Sequence, residues 1–144
     1  KIAIKEAKKA EAKNEVPVGC VIVREGRVIA RAHNLTIIKK DPSAHAEVLA
    51  IRKAAKKIGN YRLTNCVMYV TIEPCPMCAG AAVWARLKEI VFGAYDERAG
   101  ACGSVVNIAN NKKLNHHIKI KGGVLSNECA DLIKSFFRNR RANC

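Results

Sequence analysis

The chain has 144 residues, of which 49% are apolar and 26% charged, so we expect one soluble globular domain spanning residues 1–144. It contains no run of 18 apolar residues, which argues against a membrane-spanning helix. Lysine and arginine number 26 against 12 acidic residues, and this net charge of +14 favours a polyanionic partner, nucleic acid before an anionic membrane surface.

The first half of the chain is predicted to form two helices and a β-hairpin. In chain order these are a basic helix over residues 1–13, hairpin strands at 18–23 and 28–32, and a helix ending near 58. Asp41-Pro42-Ser43 is predicted to open the second helix, since Asp and Ser cap helices and Pro suits a first helical position. Gly59 is expected to end it.

The second half is predicted to alternate strands with helices. Strands are expected at residues 67–72, 89–94 and 118–120, and helices directly after Cys75 and over residues 127–141, with a loop-rich stretch at 95–115. Phe136 and Phe137 are expected to lie in the core as part of the apolar stripe of the last helix. Such alternation predicts an α/β fold with a sheet covered by helices on both faces.

Two short motifs about thirty residues apart carry the chemistry. His45-Ala46-Glu47 lies in the first turn of the predicted second helix, and Pro74-Cys75-Pro76-Met77-Cys78 joins a strand to a helix. His45, Cys75 and Cys78 are good zinc ligands, and a positive helix N-terminus favours the thiolate form that a metal requires. We therefore predict two helix N-termini that converge on one Zn²⁺ ion per subunit.

Glu47 is not needed as a ligand, and this frees it for proton transfer. Three protein ligands leave a tetrahedral zinc with an open position for water, and Glu47 is predicted to act as the general base and acid of a hydrolytic reaction. A redox-active Cys-x-x-Cys or half of a structural zinc site are the alternatives. One of the five remaining cysteines could also close the site as a fourth ligand. We read these as free thiols of a cytoplasmic protein, namely Cys20, Cys66, Cys102, Cys129 and Cys144.

The two motifs together match the H-x-E…P-C-x-x-C signature of zinc-dependent base deaminases. Further segments along nearly the whole chain resemble the bacterial tRNA-specific adenosine deaminases. They are residues 15–19, His33-Asn34, 41–47, 60–63, 68–75, 92–96, Gly103-Ser104, 114–116 and 136–138. The zinc motif alone is shared with cytosine, guanine, cytidylate and riboflavin-pathway deaminases, so these other segments carry the distinction.

The resemblance implies a cytidine deaminase-like three-layer α/β/α sandwich with a central mixed five-stranded sheet. It also implies a homodimer that deaminates the wobble adenosine of a tRNA anticodon to inosine, with release of ammonia. The partner would be the anticodon stem-loop of an arginine tRNA, bound with splayed bases. By the same implication the substrate-binding residues are Asn34, Val18, Ala44, Asp96 and Asn115.

Some features of the sequence depart from this family or favour a rival. His117 stands where family members often carry Arg, and Pro76 between the cysteines is also common in guanine and cytosine deaminases. Phosphate contacts could instead come from Lys112, Lys113, Lys119, Lys121 and the cluster at 138–141. A free-base or nucleoside deaminase (guanine or cytosine) remains the alternative enzyme. An inactive zinc-bearing RNA-binding module is the alternative from another class.

Overall fold

A computed structural model describes residues 1–143 as four helices and five strands, and Cys144 lies outside the described residues. The helices are α1 (Ile2–Ala12), α2 (Ala46–Ile58), α3 (Pro76–Trp84) and α4 (Ser126–Ala142). The strands are β1 (Gly19–Arg24), β2 (Arg27–His33), β3 (Cys66–Ile72), β4 (Glu89–Ala94) and β5 (Lys119–Lys121). Within residues 1–143 no helix is both long enough and apolar enough to cross a membrane.

The strands form one mixed sheet in the order β2-β1-β3-β4-β5. β1 runs antiparallel to β2 and β3, whereas β3, β4 and β5 run parallel to one another. The tight hairpin explains the antiparallel pair, because two strands joined by so short a turn must reverse direction. The parallel pair β3–β4 requires a crossover, which α3 supplies. The predicted mixed five-stranded sheet is confirmed.

Helices cover both faces of this sheet. α1 packs on β1, β2 and β3 and touches α4, while α2 packs on β1 and β2 and touches α3. The approach of α1 is close enough to require glycine at position 19, where a Cβ atom would lie 1.9 Å from the carbonyl oxygen of Ala3. Gly93 plays the same part under α4, since a Cβ there would lie 2.4 Å from Sγ of Cys129. The three-layer sandwich is thus confirmed.

The second helix starts later than its sequence predicts. Its first residue is Ala46 and its N-cap is His45, so Asp41-Pro42-Ser43 does not open it. The Oδ1 atom of Asp41 instead accepts hydrogen bonds from the backbone N–H and the hydroxyl of Ser43, at 2.8 and 2.7 Å. A short Asp side chain closes such a turn as readily as it caps a helix, and the turn forms here. The consequence is that His45, and not Ser43, lies at the helix end.

The last helix buries less of its aromatic pair than predicted. Phe136 is buried, but Phe137 is 42% exposed. The two rings point in different directions because adjacent helical residues are rotated by about 100°. The prediction that both are core residues is therefore wrong for Phe137, which faces the groove described below.

Candidate active site

Three predicted ligands converge between the N-termini of α2 and α3. The Nδ1 atom of His45 lies 3.6 Å from Sγ of Cys75 and 3.4 Å from Sγ of Cys78. All three potential donor atoms lie within 4.8 Å of one another. Among residues 1–143 this is the one group of three or more His, Cys or acidic residues so arranged. The other described cysteines are outside it, so none of them supplies a fourth ligand there. One nitrogen and two sulfur atoms at this spacing fit a single zinc ion with an open coordination position.

Local structure places each ligand. His45 and Cys75 are the N-cap residues of α2 and α3, and both have extended backbone angles that turn the chain into the helix. Pro76 occupies the first turn of α3, where its missing N–H costs nothing and its fixed φ suits a helix. Cys78 then lies one turn along from Cys75 and is fully buried. Short-range sequence therefore places Cys75 and Cys78 relative to each other, while the approach of α2 to α3 brings His45 to them.

Hydrogen bonds among the three candidate ligands shift their pKa values. The hydrogen bond from Cys78, opposed by burial and aided by His45, lowers the pKa of the Cys75 thiol to about 4. The same hydrogen bond, together with burial, raises the pKa of the Cys78 thiol. The hydrogen bond with Cys75 raises the pKa of His45. The lowered pKa of the partly buried Cys75 favours its thiolate form, and a divalent cation would stabilise a second thiolate at Cys78 by displacing its proton.

Glu47 lies in the first turn of α2 next to the ligands. Its side chain is 3% exposed and borders the same groove as His45 and Cys75. Burial raises the pKa of the Glu47 carboxyl. This pKa therefore lies closer to neutral pH than the pKa of an exposed glutamate. A carboxyl group of this kind can both accept and return a proton. Its catalytic role stays a prediction at this point.

An open groove of about 1150 Å³ leads to the site. Its floor, the buried end, is acidic, and its exposed outer wall carries four cations against one acid, Glu97. Glu47, Glu73 and Asp96 border the floor, whereas α4 and the neighbouring loop contribute four cationic side chains. These cations are Arg98, Lys134, Arg138 and Arg141. Tyr95 and Phe137 also border the groove, with 59% and 42% of their side chains exposed.

The predicted substrate-binding residues are not all in this groove. Val18, Asn34 and Asp96 line it together with His45 and Glu47. Ala44 is fully buried directly before His45, and Asn115 is exposed in the stretch before β5, outside the groove lining. The Asn34 amide donates to Oγ1 of Thr36 at 3.4 Å, and Oδ1 of Asp96 accepts from the N–H groups of Arg98 and Ala99. Both polar side chains thus also stabilise their own loops.

Sequence reasoning missed two buried glutamates beside the groove. Glu15 is fully buried and accepts hydrogen bonds from the N–H groups of Ile37 and Ile38, at 3.1 and 2.9 Å. Glu73 is 2% exposed and accepts several bonds from residues 96–104. For Glu73 the signal in the sequence was a charge between an apolar residue and a proline, Ile72-Glu73-Pro74, because a buried charge must find partners.

Comparisons with known proteins agree with this geometry. A model of the cytidine and deoxycytidylate deaminase zinc-binding region matches residues 1–94. A tRNA-specific adenosine deaminase from Bacillus subtilis (strain 168) is 49% identical over 98% of this chain and 88% of its own length.

Two solved structures differ in how much of the chain they match. One has a TM-score of 0.88 at 40% identity. It comes from biochemical and structural studies of A-to-I editing by tRNA:A34 deaminases at the wobble position of transfer RNA. It covers 91% of this chain and 95% of its own. A guanine deaminase from Bacillus subtilis has a TM-score of 0.63 at 46% identity, over 65% of this chain and 60% of its own. The likeness to the tRNA enzymes is therefore the more extensive.

Proposed function

Because the chain belongs to the tRNA-specific adenosine deaminases of the cytidine and deoxycytidylate deaminase zinc-binding family, we propose that it converts the wobble adenosine of a tRNA anticodon to inosine. The reaction consumes one water and releases one ammonia. The observation that carries the proposal is the cluster of His45, Cys75 and Cys78 with the buried Glu47 beside it, at the end of a groove with a basic wall.

The chain's residues divide the work as follows. His45, Cys75 and Cys78 would hold a zinc ion, which supplies the Lewis acidity that makes water a nucleophile at neutral pH. Glu47 accepts one proton from the attacking water and passes it to the purine ring nitrogen. It then accepts the second proton, from the hydroxyl now on C6, and delivers it to the amine as the C–N bond breaks. Burial suits this carboxyl to the task, since its raised pKa lies closer to the working pH than that of an exposed glutamate.

The shape and charge of the groove support a looped RNA as substrate. A volume of about 1150 Å³ exceeds what a single base requires, and the four cations on its outer wall suit several phosphates. Tyr95 and Phe137 offer exposed rings on which unpaired bases can stack. The target base would leave its stack and enter the acidic end next to Glu47. An anticodon stem-loop, in particular that of an arginine tRNA, is the proposed partner, encountered in the cytoplasm where tRNA is available.

A homodimer is the proposed assembly. α3 contains no charged residue in a chain of net charge +14, so two copies can approach along this helix without strong repulsion. Its outer side carries Met77, 40% exposed, and Trp84, 71% exposed, which lie two turns apart on the same face of the helix. We expect Trp84→Gln to yield a monomer in sedimentation analysis, while Ile2→Gln on α1, on the other face of the sheet, stays dimeric. A monomeric unmodified protein would contradict this assembly.

Inosine mapping tests the substrate. The zinc-loaded protein is incubated with total bacterial tRNA, and the products are sequenced, since inosine is read as guanosine. We expect inosine at the first anticodon position of one tRNA. A free-base deaminase is the competing function, favoured by the match to the guanine deaminase. Conversion of free guanine with no change in tRNA would establish that competitor instead.

A substitution tests the role of Glu47. Glu47→Gln keeps the shape of the side chain but cannot carry the proton, so we expect turnover to fall by at least about 100-fold with zinc content unchanged. Glu11→Gln is the matched control, because Glu11 is exposed on α1, lies outside the groove lining, and undergoes the same chemical change. A Glu47→Gln variant with full zinc and near-normal turnover would remove Glu47 from the mechanism.

A further inference from the structure

We propose that Glu73 is a positioning residue that holds one wall of the groove at the correct distance from the metal ligands. The wall in question is residues 95–104, here called the wall loop, which follows β4 and contributes Tyr95, Asp96 and Arg98 to the groove. The effect on RNA binding rests on the proposed function. The positioning itself is a property of the fold and can be measured without any substrate.

The Glu73 carboxylate gathers the wall loop around itself. Its Oε1 atom accepts a hydrogen bond from the Asp96 N–H at 3.1 Å and another from the Ser104 hydroxyl. Its Oε2 atom accepts from the N–H groups of Cys102 and Ser104, at 3.0 and 3.1 Å. Both ends of the loop are therefore bound to one side chain.

Tight packing shows that the loop has little room to move away from this carboxylate. A Cβ atom on Gly100 would lie 2.4 Å from Cδ of Glu73 and 2.4 Å from the carbonyl oxygen of Asp96. The N–H group of Ala101 also donates to the carbonyl oxygen of Pro74 at 2.8 Å. The loop thus wraps around Glu73 and contacts the residue next to it.

The position of Glu73 in the chain links this loop to the metal site. Glu73 is two residues before Cys75, and its backbone N–H donates to the carbonyl oxygen of Ala94 at 2.8 Å, where β4 ends. One residue therefore fixes the distance between a ligand-bearing segment and the wall that would face the RNA. Glu73 points at the loop's amide groups and not at a substrate, so its action on the reaction is indirect.

Only a carboxylate of this length satisfies the four donors. Glutamine offers one acceptor oxygen, and its NH₂ group would face either the Asp96 N–H or the N–H groups of Cys102 and Ser104. Aspartate is shorter by one methylene group and would leave the donors out of reach. With Glu73 at 2% exposure, water cannot easily replace the lost bonds.

The test compares Glu73→Gln with the control Glu89→Gln, which changes a partly buried glutamate at the opposite end of β4. We expect Glu73→Gln to keep its zinc, to exchange the amide hydrogens of residues 96–104 faster, and to raise the KM for an anticodon stem-loop about tenfold. Its kcat should stay within about threefold of normal. The control should change none of these quantities.

A milder pair of variants guards against a Glu73→Gln protein that fails to fold. Ser104→Ala removes only the hydroxyl donor and should raise KM about threefold, while Ser104→Thr keeps the hydroxyl and should restore it. An unchanged KM with unchanged amide exchange in Ser104→Ala and in a folded Glu73→Gln would overturn the proposal. Loss of zinc in Glu73→Gln would also overturn it, because the residue would then act on the ligands.

The two proposals fail in different ways. If the unmodified protein makes no inosine but Glu73→Gln speeds hydrogen exchange in the wall loop, the proposed function is wrong and the positioning stands. If the unmodified protein edits tRNA and both variants show an unchanged KM and unchanged amide exchange in the wall loop, the positioning is wrong and the function stands.

Discussion

Raising the salt concentration should weaken binding of an anticodon stem-loop steeply, because four cations line the groove wall. For single-stranded nucleic acid the slope of log K against log salt is about −0.7 for each neutralised phosphate. If Arg98, Lys134, Arg138 and Arg141 each meet one phosphate, the slope is about −2.8. Affinity should then fall about 50-fold between 50 and 200 mM salt.

The double variant Arg138→Gln/Arg141→Gln measures the share of α4 in this effect. With two phosphate contacts left, the slope should be about −1.4 and the loss over the same salt range about sevenfold. Lys56→Gln/Lys57→Gln is the matched control, since it removes the same charge from the exposed side of α2, on the other face of the sheet. The assay is fluorescence anisotropy of a labelled stem-loop at five or more salt concentrations.

Two results would refute the reasoning. Equal slopes for the α4 variant and the unmodified protein would show that the RNA does not follow this wall. An equal reduction in slope by the α2 control would show that overall charge, and not the groove, sets the affinity. A small neutral substrate should bind with almost no salt dependence, which separates the competing free-base activity.

Three further predictions concern the metal, the packing of α1 and the response to acid. Chelation should remove about one zinc per chain and abolish deamination until zinc is restored, and activity that survives complete metal removal would contradict the site. Gly19→Ala should destabilise the fold by about 2 kcal/mol or more in urea unfolding, because its Cβ would strike the backbone oxygen of Ala3, and an unchanged midpoint would contradict the packing of α1. Burial alone would raise the pKa of Glu6, but hydrogen bonds and charge interactions with Lys9 and His33 lower this pKa overall. The ionised Glu6 therefore stabilises the fold above pH 4.5, and this stabilisation is lost as the pH falls through the lowered pKa. The unmodified protein should therefore lose more stability than Glu6→Gln between about pH 5 and pH 3, and parallel acid limbs in urea titrations would contradict this.

Short-range patterns in the sequence were enough to predict two of the three candidate metal ligands. Cys75, Pro76 and Cys78 act within one helical turn, where spacing along the chain determines spacing in space. The strands were also predicted from the sequence, because alternating apolar residues and β-branched residues are typical of strands with one face buried. The partnership of His45 with two distant cysteines rested on the chemistry of zinc and on the resemblance to known deaminases.

Local signals failed where the same residue type is compatible with two outcomes. Asp41-Pro42-Ser43 can cap a helix or close a turn, and the helix instead begins where His45 meets the cysteines. The same holds for Phe137, whose apolar ring predicts burial but which lies on the groove side of α4. In both cases contacts between elements distant in sequence selected the outcome.

The amino-acid sequence by itself determined the ligand set, the order of strands and helices along the chain, and the positive charge that suits a polyanion. Only the tertiary structure decided that α4 supplies the basic wall, that Asn115 lies outside the groove, and that Glu73 binds the wall loop. The physical reason is range. Propensity and spacing act over a few residues, whereas a buried carboxylate takes its partners from whatever backbone the packed sheet and helices bring within hydrogen-bond distance.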